Sequence, residues 1–151
     1  MRHVGVGHGI DAAPEMIEVA RRKAARAGTD VAFQVGLIEN IPFPNDQFDV
    51  ALCSFMIFHM PDDARRKGIT EIYRVLKSGG QLLVVDLASP PQPVRWNLTT
   101  FVFGCLMQHD FRELVPMMEQ AGFTQIKVGQ TRFKSVSFVR GRTRKVKGGQ
   151  G

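Results

Sequence analysis

The stretch Gly9-Ile10-Asp11-Ala12-Ala13-Pro14-Glu15-Met16 constrains the fold of this chain more than any other. A short apolar strand ends there on an acid, and a helix must begin at once. Pro14 suits the first helical position, where the amide it lacks would have no intrahelical partner. In an α/β sheet, ligands bind at the carboxyl end of a strand, beside the helix that follows. A carboxylate fixed at that point can accept two hydrogen bonds from a vicinal diol, as on a ribose, which makes Asp11 the first candidate site residue. The competing role is a helix-capping acid. With Pro14 opening the helix the cap is Ala13, so capping suits Asp11 poorly.

Upstream, Val4, Val6 and Ile10 alternate with Gly5, Gly7 and Gly9, a glycine-weakened strand pattern. The glycines look like half of a dinucleotide-binding loop, but that loop needs a strand before it and a helix opening from it. Only three residues precede Val4, and Ile10-Asp11 leaves no room for the helix, so the pattern is a decoy. Downstream, Ile17, Ala20, Ala24 and Ala27 recur at helical spacing, acids lead and bases trail, and Gly28 supplies a stop, which predicts a helix over 14–27.

The rest of the chain alternates strand and helix. Val31–Val35 reads as a strand, and Ile41-Pro42-Phe43-Pro44-Asn45-Asp46 as a rigid proline turn. Phe48–Ser54 is nearly all apolar, as expected of a strand buried on both faces of a parallel sheet. A second helix opens at Pro61-Asp62-Asp63, buries Ile69, Ile72, Tyr73 and Leu76, and ends at Gly79-Gly80. Gln81–Val85 is another apolar strand stopping on Asp86. A third helix is expected from Asp110 to Gln120, then two strands, Thr124–Arg132 and Lys134–Arg140, paired as an antiparallel hairpin. Such alternation predicts a mostly parallel α/β sheet with right-handed crossovers. Between them, residues 88–109 hold Pro90, Pro91, Pro93, Trp96, Phe101 and Phe103, and read as an apolar cap over a pocket or a surface helix.

Composition narrows the function. A chain of 151 residues with 44% hydrophobic and 23% charged residues is one ordinary globular domain. No apolar run approaches the ~18 residues of a membrane span, and no export signal follows Met1. Cys53 and Cys105 stand far apart, as reduced thiols of a cytoplasmic protein would, and with four scattered histidines they form no metal-spaced set. The net charge of +6 is concentrated in Arg140, Arg142, Arg144, Lys145 and Lys147 near the end. The body is close to balanced, which argues against nucleic acid as partner. Residues 1–140 are therefore expected to form the domain, and 141–151 a basic, disordered tail.

In order and motif, the chain resembles the class I S-adenosylmethionine-dependent methyltransferases, in the branch that includes quinone-biosynthesis enzymes. Carrying the resemblance are Gly9-Ile10-Asp11 with Pro14-Glu15-Met16, Ile41-Pro42-Phe43-Pro44 leading to Phe48-Asp49-Val50, Glu71-Ile72-Tyr73-Arg74-Val75-Leu76-Lys77 with Gly79-Gly80, and Ala121-Gly122-Phe123. It implies a Rossmann-like sheet and methyl transfer to a small-molecule acceptor, with S-adenosylhomocysteine as product. It also implies Asp11 on the cofactor ribose, Ala12 and Met16 against the adenine, and Leu37 and Ile38 at the adenine edge. Cys53 and Ser54 would face the methionine end. His59, in the loop after them, is the candidate general base.

The sequence departs from that family in two places. An acid normally stands at the position of Leu37, to take the adenine amino group. The family's first strand, its glycine-rich loop and first helix belong upstream of Asp11, where this chain has almost nothing. An N-terminally truncated sheet with a central gap is the expectation. Its two exposed edges would serve pairing with a second copy, as a homodimer, and the alternative function is a non-catalytic remnant that binds cofactor weakly.

Overall fold

A computed structural model describes residues 5–87, 110–132 and 136–144. The expected cap at 88–109 and the last seven residues lie outside them.

The first strand, β1 (Gly7–Asp11), pairs in parallel with β2 (Val31–Val35), with Asp11 opposite Val35. Helix α1 (Pro14–Ala27) crosses between them and stops at Gly28, whose amide donates to Ala24 O and Ala25 O. Its apolar stripe is narrow, and Ile17 is its one buried residue. A two-stranded unit with so little buried area cannot hold itself together.

The larger body is a four-stranded sheet in the order β3-β4-β6-β5. Strand β3 (Phe48–Ser54) runs parallel to β4 (Leu76–Leu87), and β6 (Val136–Thr143) runs antiparallel to both β4 and β5 (Phe123–Gln130). Helices α2 (Asp62–Val75) and α3 (Leu114–Ala121) cover one face. There Ile57, Ile69, Leu82, Val84, Leu114, Met118 and Val139 are almost wholly buried. The fold is thus α/β and Rossmann-like, with the antiparallel C-terminal pair that the sequence predicts.

The sheet is interrupted where the sequence predicts a gap: β1 and β3 are not paired, and each keeps one free edge among the described strands. The opposite face of β3 is bare as well. Val50 is 61% and Leu52 66% exposed, while Ala51 and Cys53 face the core. Burial on both faces was the expectation for this strand, and the structure overturns it, because no described helix packs on that side.

Several boundaries also shift. Helix α2 ends at Val75 rather than at Gly79-Gly80, and β4 begins at once with Leu76. Leu76 pairs with Phe48 and Gln81 with Val50, so Lys77–Gly80 bulge out of the ladder. Gly79 takes the left-handed turn this needs, at φ 77°. Strand β4 continues through Asp86 to Leu87, where β6 supplies partners that a lone apolar run does not reveal. The third helix opens with a 3-10 turn, Phe111–Glu113, capped by Asp110 Oδ1 accepting from the Arg112 amide.

Strand β6 also runs three residues into the expected tail. Thr143 Oγ1 donates to Lys77 O at 2.6 Å, and the Gly141 backbone lies close against Met118 and Phe123. Residues 141–143 therefore belong to the domain, and removing them would strip an inner strand.

One ion pair joins α2 to the loop between the two sheets. Arg74 Nε and Nη2 donate to Glu71 at 2.7 Å each, Nη1 to Phe43 O and Asn45 Oδ1, and Nη2 also to Ile41 O. Glu71 Oε2 accepts from the Ile41 amide at 2.9 Å. The Arg74 hydrogen bond is the largest influence on the Glu71 carboxyl and, with help from that amide and the Arg74 charge, holds it below its usual range against the opposing effect of burial, while the hydrogen bond to Glu71 raises Arg74. A depressed carboxyl contributes stability that is fully present above its unfolded pKa and is lost as pH falls through the folded one. Glu71→Gln should therefore melt below the wild type by a constant margin from pH 7 down to about pH 4.5, and the margin should shrink in more acid solution. Thermal melts across that range measure it. A margin that widened in acid would contradict the assignment.

Candidate functional site

The carboxyl ends of β1 and β2 are brought together by a main-chain bond, Gly36 N to Asp11 O at 3.0 Å. Asp11 is exposed, and its Oδ1 accepts from the Ala13 amide at 2.8 Å. This is an Asx turn and not a helix cap: Ala13 is the cap residue and no side chain caps α1. The turn orients the carboxylate and leaves Oδ2 without a partner among the described residues. Ala12 is exposed beside it, and Met16, one turn into α1, is 52% exposed. Leu37, just past β2, is 55% exposed. An oriented carboxylate, with exposed apolar side chains on the neighbouring helix and loop, suits a ribose bearing a flat heterocycle.

The other candidates divide differently. Ile38 turns inward and packs against Gly68 of α2, so its side chain belongs to the core. Cys53 is also in the core, and burial, with the Asp86 carboxyl next, pushes its thiol up to about 12. It stays a protonated, unreactive thiol at neutral pH. For Ile38 and Cys53, only the backbone is left to meet a ligand. Both came to the site through the family resemblance, which aligns chain positions and does not say which way a side chain faces. Ser54 is exposed at the end of β3. His59 is exposed in the short 3-10 turn Ile57–His59 beyond it, five residues further on. The candidates thus fall into two groups, one at the end of the β1/β2 pair and one at the end of β3.

The sequence reading missed two features. Glu71 and Arg74, within a motif that carries the resemblance, clamp the Ile41–Asn45 loop. Their three-residue spacing was the available signal. Asp86, read as a packing feature, is 2% exposed and its Oδ2 is buried without a partner.

An α/β half-sheet with an acid at the end of a strand, followed by a parallel pair and an antiparallel return, is the architecture of class I methyltransferases. Residues 2–80 match the family model described as a methyltransferase domain, and the chain belongs to that family, the S-adenosylmethionine-dependent methyltransferases of class I. The uncharacterized methyltransferase YcgJ of Bacillus subtilis is 44% identical over 87 residues, which is 57% of this chain and 34% of that protein. The ubiquinone/menaquinone biosynthesis C-methyltransferase UbiE of Geobacter sp. (strain M21) is 41% identical over 97 residues, 63% of this chain and 40% of that one. In both, the matched stretch spans well under half of the relative. The solved structure of a S-adenosylmethionine-dependent methyltransferase from Aquifex aeolicus shares the fold, with a TM-score of 0.73 at 20% identity over 93% of this chain and 70% of its own.

Gly7 and Gly9 lie within β1 and Gly5 just before it, with no helix opening from them, so they form no phosphate-binding loop. Gly9 has a packing role instead, since a Cβ there would meet the Phe33 ring at 2.5 Å, whereas one at Gly5 would meet nothing within 4 Å. Gly9→Ala should destabilise the chain by about 1–3 kcal/mol, with Phe33→Leu in the same background restoring part of it. Gly5→Ala should leave stability within ~0.5 kcal/mol. Urea unfolding curves of the three variants check this.

Proposed function

We propose that the chain transfers a methyl group from S-adenosylmethionine to a small-molecule acceptor, with Asp11 as its ribose-binding residue. The observation that carries the reading is the exposed Asp11 carboxylate at the end of β1, turned by its bond to the Ala13 amide, with Met16 and Leu37 exposed on the helix and loop that follow β1 and β2. A diol spans one such oxygen and its neighbour, and the two apolar side chains suit an adenine. When bound, the cofactor supplies an electrophilic methyl group on a sulfonium. The chain's own part is to hold that group in line with the acceptor and keep water away, which needs no acid–base pair. His59 remains the candidate base for an acceptor hydroxyl.

The relatives named for quinone and hydroquinone methylation favour a hydroxylated ring as acceptor. A second reading, a domain that binds cofactor weakly and acts through protein contacts, is favoured by one observation. The sheet is split between β1 and β3, so the two groups of candidate residues stand on separate sheets. Pairing of the free edges with a second copy would belong to either reading.

Calorimetric titration with S-adenosylhomocysteine tests the proposal. A folded sample should bind it, and Asp11→Ala should abolish the heat. Leu37→Asp restores an acceptor for the adenine amino group, and a hydrogen bond to a charged group gives about 1.5–3 kcal/mol, or roughly ten- to a hundredfold in affinity. No heat at millimolar ligand, or unchanged binding by Asp11→Ala, would sink the assignment.

A further inference from the structure

Asp86 is the most anomalous polar group among the described residues. It lies near the carboxyl end of β4, on the face that also carries Leu82 and Val84, and it is 2% exposed. Oδ1 accepts from the Leu87 amide at 2.8 Å, while Oδ2 is buried and unpartnered. Whatever its protonation state, that oxygen keeps lone pairs that water would satisfy and the fold does not. Buried polar atoms of this kind ask for a ligand, a water or a functional explanation.

Its position favours a ligand. Strand β3 stops pairing at Ser54, opposite Val85, and the Phe55 amide makes a last bond to Val85 O. Phe55 then turns the chain away, at φ 55°. Strand β4 continues two residues further, so at Asp86 it has β6 on one side, with Ser137 directly opposite, and no paired strand on the other. The crevice outside the carboxyl ends of neighbouring parallel strands is where α/β sheets take their ligands. Cys53, one strand away on the same face, is a thiol that burial keeps protonated.

We propose that Asp86 Oδ2 accepts a hydrogen bond from a hydroxyl group of the methyl acceptor, and so selects acceptors that carry one. The inference rests on the reading of the chain as a methyltransferase that acts on a hydroxylated ring, and it gives that acceptor a fixed point in the fold. A site built to receive a hydroxyl rejects an analogue lacking the donor more strongly than an apolar pocket does, because the buried oxygen is then left unpaired. The group is kept at the expense of stability: an apolar side chain in its place would relieve the unmet oxygen.

The test uses the full chain with methyl-1,4-hydroquinone, kept reduced, and its dimethyl ether, which has the ring without the donors. Binding is followed by NMR titration and stability by thermal melting. The wild type should bind the hydroquinone at least tenfold more tightly than the ether. Asp86→Leu should abolish that preference while raising the melting temperature by a few degrees. A merely structural aspartate predicts the reverse, a lowered melting temperature and an unchanged preference, and either of those results overturns the proposal. Failure of the wild type to bind the hydroquinone overturns it too. S-adenosylhomocysteine titrated in parallel separates the two readings. Cofactor binding without any preference for the hydroxyl leaves the methyltransferase reading standing and removes Asp86 from it. A preference that depends on Asp86, without cofactor binding, does the opposite.

Discussion

The Glu71–Arg74 pair governs how the two halves of this molecule sit together. Arg74 is a planar fork with its donors in fixed directions, and here it meets the Glu71 carboxylate, two carbonyls and an amide oxygen at 2.7–2.9 Å. The loop it grips follows β2 and leads into β3, so it is the covalent bridge between the two-stranded and four-stranded sheets. Arg74 O and Val75 O extend the contact by accepting from the Asp46 and Gln47 amides. A loop with two prolines and few donors of its own is thereby tied along its length to the end of α2. Since the pair is only partly exposed, at 30% and 19% of the two side chains, solvent screens it less than a surface bridge.

Packing reinforces the same junction. His8 of β1, Phe43 of the loop and Phe48 of β3 make three edge-on ring contacts, with centroids 5.0–5.6 Å apart. Ile38 and Ile41, at either end of the loop's first half, drop into the core against α2. These contacts explain why β1 and β2, which bury little by themselves, keep a place beside a sheet they do not pair with.

The sequence revealed elements better than surfaces. Helix α1 was legible to the residue, because Pro14, the charge gradient and Gly28 are local signals that tertiary packing did not override. The split sheet was legible from what stands upstream of Asp11. The bare face of β3 was not, since Val50 and Leu52 are the letters of a strand covered on both sides, and only a missing layer leaves them in solvent. The end of β4 was hidden for a related reason: Asp86 looks like a terminator until β6 provides the pairing that carries the strand past it. The position of Asp11 at the end of β1 was readable from chain order, and its Asx turn in place of a helix cap follows from Pro14. That the Ile38 and Cys53 side chains face the core was not legible, because inward and outward positions depend on the packing of neighbouring elements.

On the proposed reading, the chemistry is divided between two units. Asp11, Met16 and Leu37 stand at the end of the β1/β2 pair, whereas Ser54 and Asp86 stand at the ends of β3 and β4. Methyl transfer requires donor and acceptor atoms about 3–3.5 Å apart and aligned, and a 1 Å misplacement costs roughly a hundredfold in rate. In an unbroken sheet, strand-to-strand hydrogen bonds would fix that distance. Here the described links are side-chain ones: the clamped loop, the aromatic contacts at the amino-terminal end of the strands, and Ile10 and Ile38 packed on the core near the carboxyl ends of β1 and β2. On that reading Arg74, which grips the joining loop, is among the residues that set how precisely the two units are held.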